Sequence, residues 1–313
     1  MGSKTSLFYN RQSGGRFAIE DQGLNTGNRW FVDSGSANAG NAAGKGMSPS
    51  APFSSLTYAF SSDRVQANNG DIVYVMPGHA EAVASDGALT IDIAGVEVWG
   101  LGRGDNRPLI TISTAAAAAA LITGAGTIMH GFRWSIAIDA ATDPIQISGA
   151  GGDFYDWEII EASACEALDL LSVSTGGTRT KIHDMVIKGR NTTDGDALNA
   201  IHLDGCDDVE IYNIHAYNGD WKEGVIFNQG DEVLDIKIHD CILQTKATED
   251  LSIVLDTNAT GEIYNLKCIL FENAANIDEC LSIGKCHAYD PILVVNADGE
   301  KGIEWPGTDS TDA

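Results

Sequence analysis

The residues best equipped for chemistry follow His202, where Asp204, Asp207, Asp208 and Glu210 crowd one short stretch. Two carboxylates flanking a groove are the equipment of glycoside hydrolysis: one protonates the leaving oxygen, the other activates water or attacks directly. An inverting pair must stand about 6.5–9.5 Å apart to admit that water. Composition argues the other way. The chain carries 44 Asp and Glu among 313 residues, so this run reads first as a solvated acidic turn. Other candidates are weaker. His79 follows Pro77-Gly78 and reads as a turn residue. Asp194-Gly195-Asp196 lacks the spacing and terminal Glu of a calcium loop. Gly100-Leu101-Gly102-Arg103-Gly104 has no strand-and-helix context for a nucleotide and reads as a turn. The six cysteines, at 165, 206, 241, 268, 280 and 286, show neither Cys-x-x-Cys nor Cys/His ligand spacing. They read as reduced, small apolar residues. No catalytic residue, cofactor or metal ligand is assigned from the sequence.

Charge narrows the partners. Lys and Arg number 19 against those 44 acids, a net charge of −25. Phosphate backbones need clustered cations, so a nucleic-acid partner is not expected. No apolar run reaches membrane-spanning length, Ala115 to Ala120 being the longest monotonous stretch. The N-terminus has no stretch resembling a signal peptide. The expected location is a cytoplasm, or a larger particle assembled there.

The elements that would position any site appear as a repeat of about 25 to 29 residues. Six segments align without gaps: 128–134, 153–159, 181–187, 210–216, 237–243 and 262–268, with 98–101 matching in part. Their second position is Met129, Phe154, Ile182, Ile211, Ile238 and Ile263. The fifth (Phe132, Trp157, Met185, Ile214, Cys241, Leu266) and seventh (Trp134, Ile159, Ile187, Ala216, Leu243, Cys268) are also apolar. The fourth is Gly131, Asp156, Asp184, Asn213, Asp240 and Asn265, residue types that tolerate a left-handed backbone. Alternation thus shifts phase at each fourth position, which predicts two inward-facing strands joined by a tight corner. A further apolar pair recurs downstream, at Ile145/Ile147, Ile201/Leu203, Val225/Phe227, Ile253/Leu255 and Leu281/Ile283. The spacing and the abundance of Ile, Val, Tyr and Trp favour strands over helices. A right-handed, single-stranded parallel β-helix follows, all-β apart from an N-terminal capping helix.

The third position is His130, Tyr155, His183, Tyr212, His239 and Tyr264, preceded by Trp99. These rings should face outward and stack about 4.8 Å apart. They serve either to stiffen the sheet or as a subunit contact, for which Trp99, Tyr155, Tyr212 and Tyr264 are the candidates. A sugar-binding strip is the weaker reading. Upstream, Phe53, Leu56 and Phe60 share one face of a helix expected to run to about Ala67 and cover the end of the stack. The organisation read from this is an extended arm at 1–29, an opening strand and capping helix at 30–70, the β-helix at 71–301 and a polar tail at 302–313.

Trp30-Phe-Val-Asp-Ser-Gly35, Pro52-Phe-Ser-Ser-Leu56 and Asn69-Gly-Asp-Ile-Val-Tyr-Val-Met-Pro-Gly-His79 occur in that order. The order resembles the opening module of pectate-lyase-like β-helix proteins. Met76 to Glu81, with Ala94-Gly-Val-Glu-Val-Trp-Gly-Leu-Gly102, is similar to β-helix proteins of tailed-phage particles, head decoration or cement proteins among them. That resemblance implies a virion protein on the capsid surface, trimeric and bound to the major capsid protein. Cys206-Asp207-Asp208 resembles the Asp-Asp pair of polygalacturonases, but the Gly-His-Gly and Arg-Ile-Lys motifs of that family are absent. For a pectate lyase's arginine base, Arg179 and Arg190 have no matching calcium-binding acids.

The expected function is therefore non-enzymatic: a phage structural protein that decorates and reinforces a capsid as a β-helical homotrimer. Lys4, Arg11, Arg16 and Arg29 outnumber the acids of the arm, so Phe8, Tyr9, Arg11, Arg16 and Phe17 are the expected capsid contacts. The alternative is a tailspike-like protein that binds or degrades polysaccharide.

Overall fold

Each coil is shaped by alternation on either side of a left-handed corner. In the coil that begins at Lys181, Ile182 points inward, Asp184 turns the chain, and Met185 and Ile187 point inward again. Asp184 has φ 53°, and Asp156, Asn213, Asp240, Asn265 and Gly131 repeat the conformation at 53°, 53°, 54°, 53° and 80°. Asp and Asn tolerate this region because their short polar side chains bond locally. At Gly131 the requirement is also steric, since a Cβ there would stand 2.2 Å from the Gly100 carbonyl oxygen.

The computed structural model describes residues 27–269, except 62, 163–164, 166, 191–196, 229–231, 247–250 and 256–258. Beyond these it describes the backbone of the strands Asn10–Gln12, Gly15–Phe17, Leu266–Asn273, Asn276–Ile283, Leu293–Val295 and Ile303–Glu304. The fold is a right-handed parallel β-solenoid preceded by a short helix. Most coils contribute three strands, the downstream apolar pair forming the third. The first and second flank the corner; the third, such as Asn199–Asp204, closes the coil on its own sheet.

Register stacks like on like. The column of second positions runs Trp30, Val73, Val98, Met129, Phe154, Ile182, Ile211, Ile238, Ile263 through parallel pairing, and every member is buried. Burying each of these side chains contributes about 1.5–3 kcal/mol, which makes the column the main adhesive of the stack. The third sheet departs from the sequence pattern at Val225/Phe227. Ile226, not its neighbours, pairs with Ile201 and Ile253 in the inward column, which turns Phe227 outward beside His202. The pair Leu281/Ile283 belongs to no parallel coil, because Asn276–Ile283 runs antiparallel to Leu266–Asn273.

The helix is shorter than its apolar pattern suggested, spanning Leu56–Ser61 and burying Leu56, Ala59 and Phe60. Glu81 holds its start, accepting from the backbone N–H groups of Leu56 (2.6 Å) and Thr57 (3.1 Å). His79 is more than a turn residue. It is buried, its Nδ1 accepts from the Ser34 N–H at 3.0 Å, and its Nε2 therefore donates to Glu81 at 3.2 Å. Asp71 explains the Gly-Asp of the opening motif. Its carboxylate accepts from Asn28, Trp30, Gln66 and Asn69 and so ties the first two coils together. Burial raises its pKa, but those hydrogen bonds outweigh burial and hold it below the usual carboxylate value.

Candidate active site

The third sheet has a column that its inward residues do not reveal. Two positions before Ile145, Leu171 and Ile201 stand Asp143, Asp169 and Asn199. Strand pairing aligns these coils, Gln146 with Ser172 and Asp169 with Asn199. Adjacent coils lie about 4.8 Å apart, so the two carboxyls meet and cannot both ionise cheaply. Asp169 is buried and already committed: it accepts from Asn199 Nδ2 at 2.8 Å and lies 2.8 Å from His202 Nδ1. Asp143 yields. Burial, a hydrogen bond to Asp169 and the charges of Asp169 and Asp204 push its pKa up to about 7, with His202 opposing. His202 moves upward too, chiefly through its bond to Asp169 and against the effect of burial. The result is a proton shared between two acids, with a histidine and a buried amide fixing the inner one.

Above Asp143 the coil offers only small side chains. Ala116, Ala117, Ala118 and Ala119, with Asp86, Thr142, Asp143 and Gln146, line an open cleft of about 140 Å³. Pockets that engulf a whole small ligand span about 300–1,000 Å³. This notch suits one group of a longer chain lying along the sheet. The alanine run that looked merely monotonous in sequence is what leaves the space.

Of the acids that first attracted attention, Asp204 alone joins this group, through its charge on Asp143 and His202. Asp207 accepts from the Leu234 N–H at 3.0 Å, Asp208 occupies a left-handed corner at φ 56°, and Glu210 bonds Lys181 at 3.0 Å and His239 at 3.5 Å. These serve the coil. Arg179 is another left-handed corner (φ 59°), and the Arg190 backbone N–H donates to Glu161. Cys165, Cys206 and Cys241 are buried thiols whose pKa burial pushes up to about 12, which suits packing rather than nucleophilic attack. Among the described residues, no three His, Cys, Asp or Glu side chains are grouped to hold a metal ion, and no helix is long and apolar enough to cross a membrane.

The outward rings stack as their spacing required. His130, Tyr155, His183, Tyr212, His239 and Tyr264 follow one another at 4.4–5.1 Å with interplanar angles of 1–8°. Trp99 tilts by 56° against His130 and joins an apolar cluster with Phe31 and Tyr74. Ring faces from His130 onward are taken by other rings, which removes the flat platform a sugar would need. In the arm, Arg11 pairs with Arg16 and Asn10 with Phe17 in an antiparallel two-stranded ribbon, where the sequence showed no period; Phe8 and Tyr9 lie outside the described residues.

No protein-family model matches the chain, and no curated protein matches it. Among solved structures, pectate lyase Pel9A superposes with a TM-score of 0.55 at 14% identity, over 78% of this chain and 64% of that one. A rhamnogalacturonan lyase aligns at 15% identity with a TM-score of 0.41, over 83% of this chain and 80% of its own. The chain thus has a pectate-lyase-like β-solenoid fold. It spans under two thirds of the Pel9A chain, and the likeness is one of fold. That finding corrects the expectation of a non-enzymatic protein: the coil stack it resembles is that of a pectate lyase.

Proposed function

We propose that this chain acts on polysaccharide, as a tailspike-like β-helix that binds a glycan along its third sheet and cleaves it there. Asp143 is the proton donor; Asp169, Asn199 and His202 position it. One observation carries the reading: a carboxyl that keeps its proton near neutral pH at the rim of an open cleft. A general acid works best with a pKa near the working pH, and a positioned one contributes about 10²–10⁴-fold to rate. The structural carboxylate Asp71 shows the contrast: its hydrogen bonds hold its pKa below the usual value instead of raising it. The fold likeness supports the reading at the level of architecture alone.

The particle-bound role, a trimer touching the major capsid protein through the arm, rests on the resemblance of the opening motifs, and no specific feature of the described residues favours it.

The test is to incubate the chain with a panel of bacterial capsular and plant cell-wall polysaccharides and follow new reducing ends and unsaturated uronate. Cleavage by the wild type and its loss in Asp143→Asn, with unchanged circular dichroism, is the expected result. Equal cleavage by both would move the chemistry elsewhere, and cleavage of nothing would remove it.

A further inference from the structure

The charge around the cleft separates two kinds of glycan. The Asp143–Asp169 pair shares a single proton and so keeps one negative charge, which His202 beside Asp169 offsets when protonated; Asp204 adds another negative charge, and Asp86 a further one on the exposed rim. Glu223 reinforces the inner end through its contact with Asn199 at 3.3 Å. Among the described residues, no Lys or Arg lines the cleft. Arg107 and Arg133 serve a different sheet, where Glu158 holds them at 3.1 and 2.8 Å. A net charge of −25 surrounds the whole.

We propose that the chain this cleft accepts carries no carboxylate or sulfate: it is an uncharged or amine-bearing polysaccharide, and it is cut by hydrolysis. The inference rests on the function proposed above and gives it a substrate class. Two arguments lead here. A polyuronate presents a carboxylate on every sugar, and one in the cleft would meet Asp143 or Asp86 with no Lys or Arg of the lining between them. Eliminative cleavage is disfavoured for the same reason. Removing the proton beside a uronate carboxyl builds negative charge on that carboxyl, next to a carboxylate that is already buried. Hydrolysis asks for the opposite arrangement. Positive charge develops at the anomeric carbon, which a surrounding of carboxylates stabilises. In that step Asp143 gives its proton to the glycosidic oxygen, and the electron pair of the breaking C–O bond leaves with that oxygen. Water forms the new bond to the anomeric carbon, and its released proton restores the Asp143–Asp169 pair. Gln146 and Thr142 on the lining are suited to hydroxyl groups, which they can meet as donors and acceptors.

The experiment offers the purified chain an uncharged β-glucan, a polyglucosamine and a polygalacturonate of similar length, at low and high salt. New reducing ends are expected from the polyglucosamine and the glucan, with no unsaturated product. Asp86→Lys, a substitution on the exposed rim, should raise polygalacturonate binding relative to polyglucosamine by about tenfold at low salt, and high salt should shrink that shift. Cleavage of polygalacturonate alone, or any unsaturated product, would leave the chain a glycan-cutting protein and overturn this inference. Cleavage of none of the three overturns the inference together with the function beneath it. An Asp86→Lys variant whose preference is unmoved would also count against it.

Discussion

On the outer face of the first sheet, from His130 onward, each coil repeats the pattern of the one before; where the third strand begins, neighbouring coils differ. The first face alternates His and Tyr, ring on ring, with each corner Asp or Asn in the same left-handed conformation. Its polar atoms are bonded within the ladder: His183 lies 2.7 Å from Asp184 and 2.9 Å from Asp153, and Asn213 donates to Asp184. Where the third strand begins, Ala118, Asp143, Asp169 and Asn199 stand at equivalent heights on successive coils, and of these only Asp143 is not buried. A solenoid gains stability from repetition, because identical neighbours satisfy one another. Where repetition breaks at a polar position, the groups face unequal partners, and a proton or a cavity remains to be used.

The largest effect should come from the shared interior beneath both faces. Ile211→Asp puts an unpaired charge in a dry column and should abolish soluble, folded protein, whereas Gln146→Asp on the outer third face should express normally. Comparing soluble yields checks the pair. If both fold, the buried column is not what holds the coils.

Next, Asp143→Asn should lower glycan cleavage by about 10²–10⁴-fold while leaving the melting temperature within a few degrees. Asp184→Asn, on the regular face, should leave cleavage intact. Matched losses in the two variants would erase the distinction between the faces.

Smaller effects belong to the regular face alone. Asn213→Val forces a β-branched residue to φ 53° and should cost about 1–2 kcal/mol of stability, most of which Asn213→Gly avoids. Chemical denaturation measures both. Tyr212→Leu removes two stacking contacts and should cost about 0.5–1.5 kcal/mol beyond lost area, with cleavage unchanged.

What could be read from the sequence follows the same division. The corner residues and the apolar columns announced the coil, because a left-handed turn admits few residue types and a buried strand must alternate. The ring stack followed from the same alignment. Asp143 and Asp169 were not legible. They stand two residues before the apolar pairs on which these strands had been aligned, and Leu171/Val173, the pair that would have placed Asp169, was missing from that alignment. Asp204 to Glu210 drew attention because they are adjacent in the chain, yet coils bring together residues 26 to 33 positions apart, such as Asp143 with Asp169 and Asp169 with His202. Reading the columns two positions upstream of each third strand is the signal that finds the pair. The extent of the helix was over-read at both ends: Phe53 belongs to a bridge with Val32, and Asp63 is left-handed at φ 54°, which stops the helix short of Ala67.

The pH dependence of glycan cleavage reads the Asp143 proton most directly. The wild-type rate should hold steady on the acid side and fall about tenfold per pH unit above about 7, as Asp143 loses its proton. Asp169→Asn removes the neighbouring charge, so the midpoint of that fall should move to lower pH, back toward the ordinary carboxylate value of 3.8. A wild-type rate that stays level through neutral and alkaline pH, or a midpoint that Asp169→Asn leaves in place, would contradict the shared proton and the site built on it.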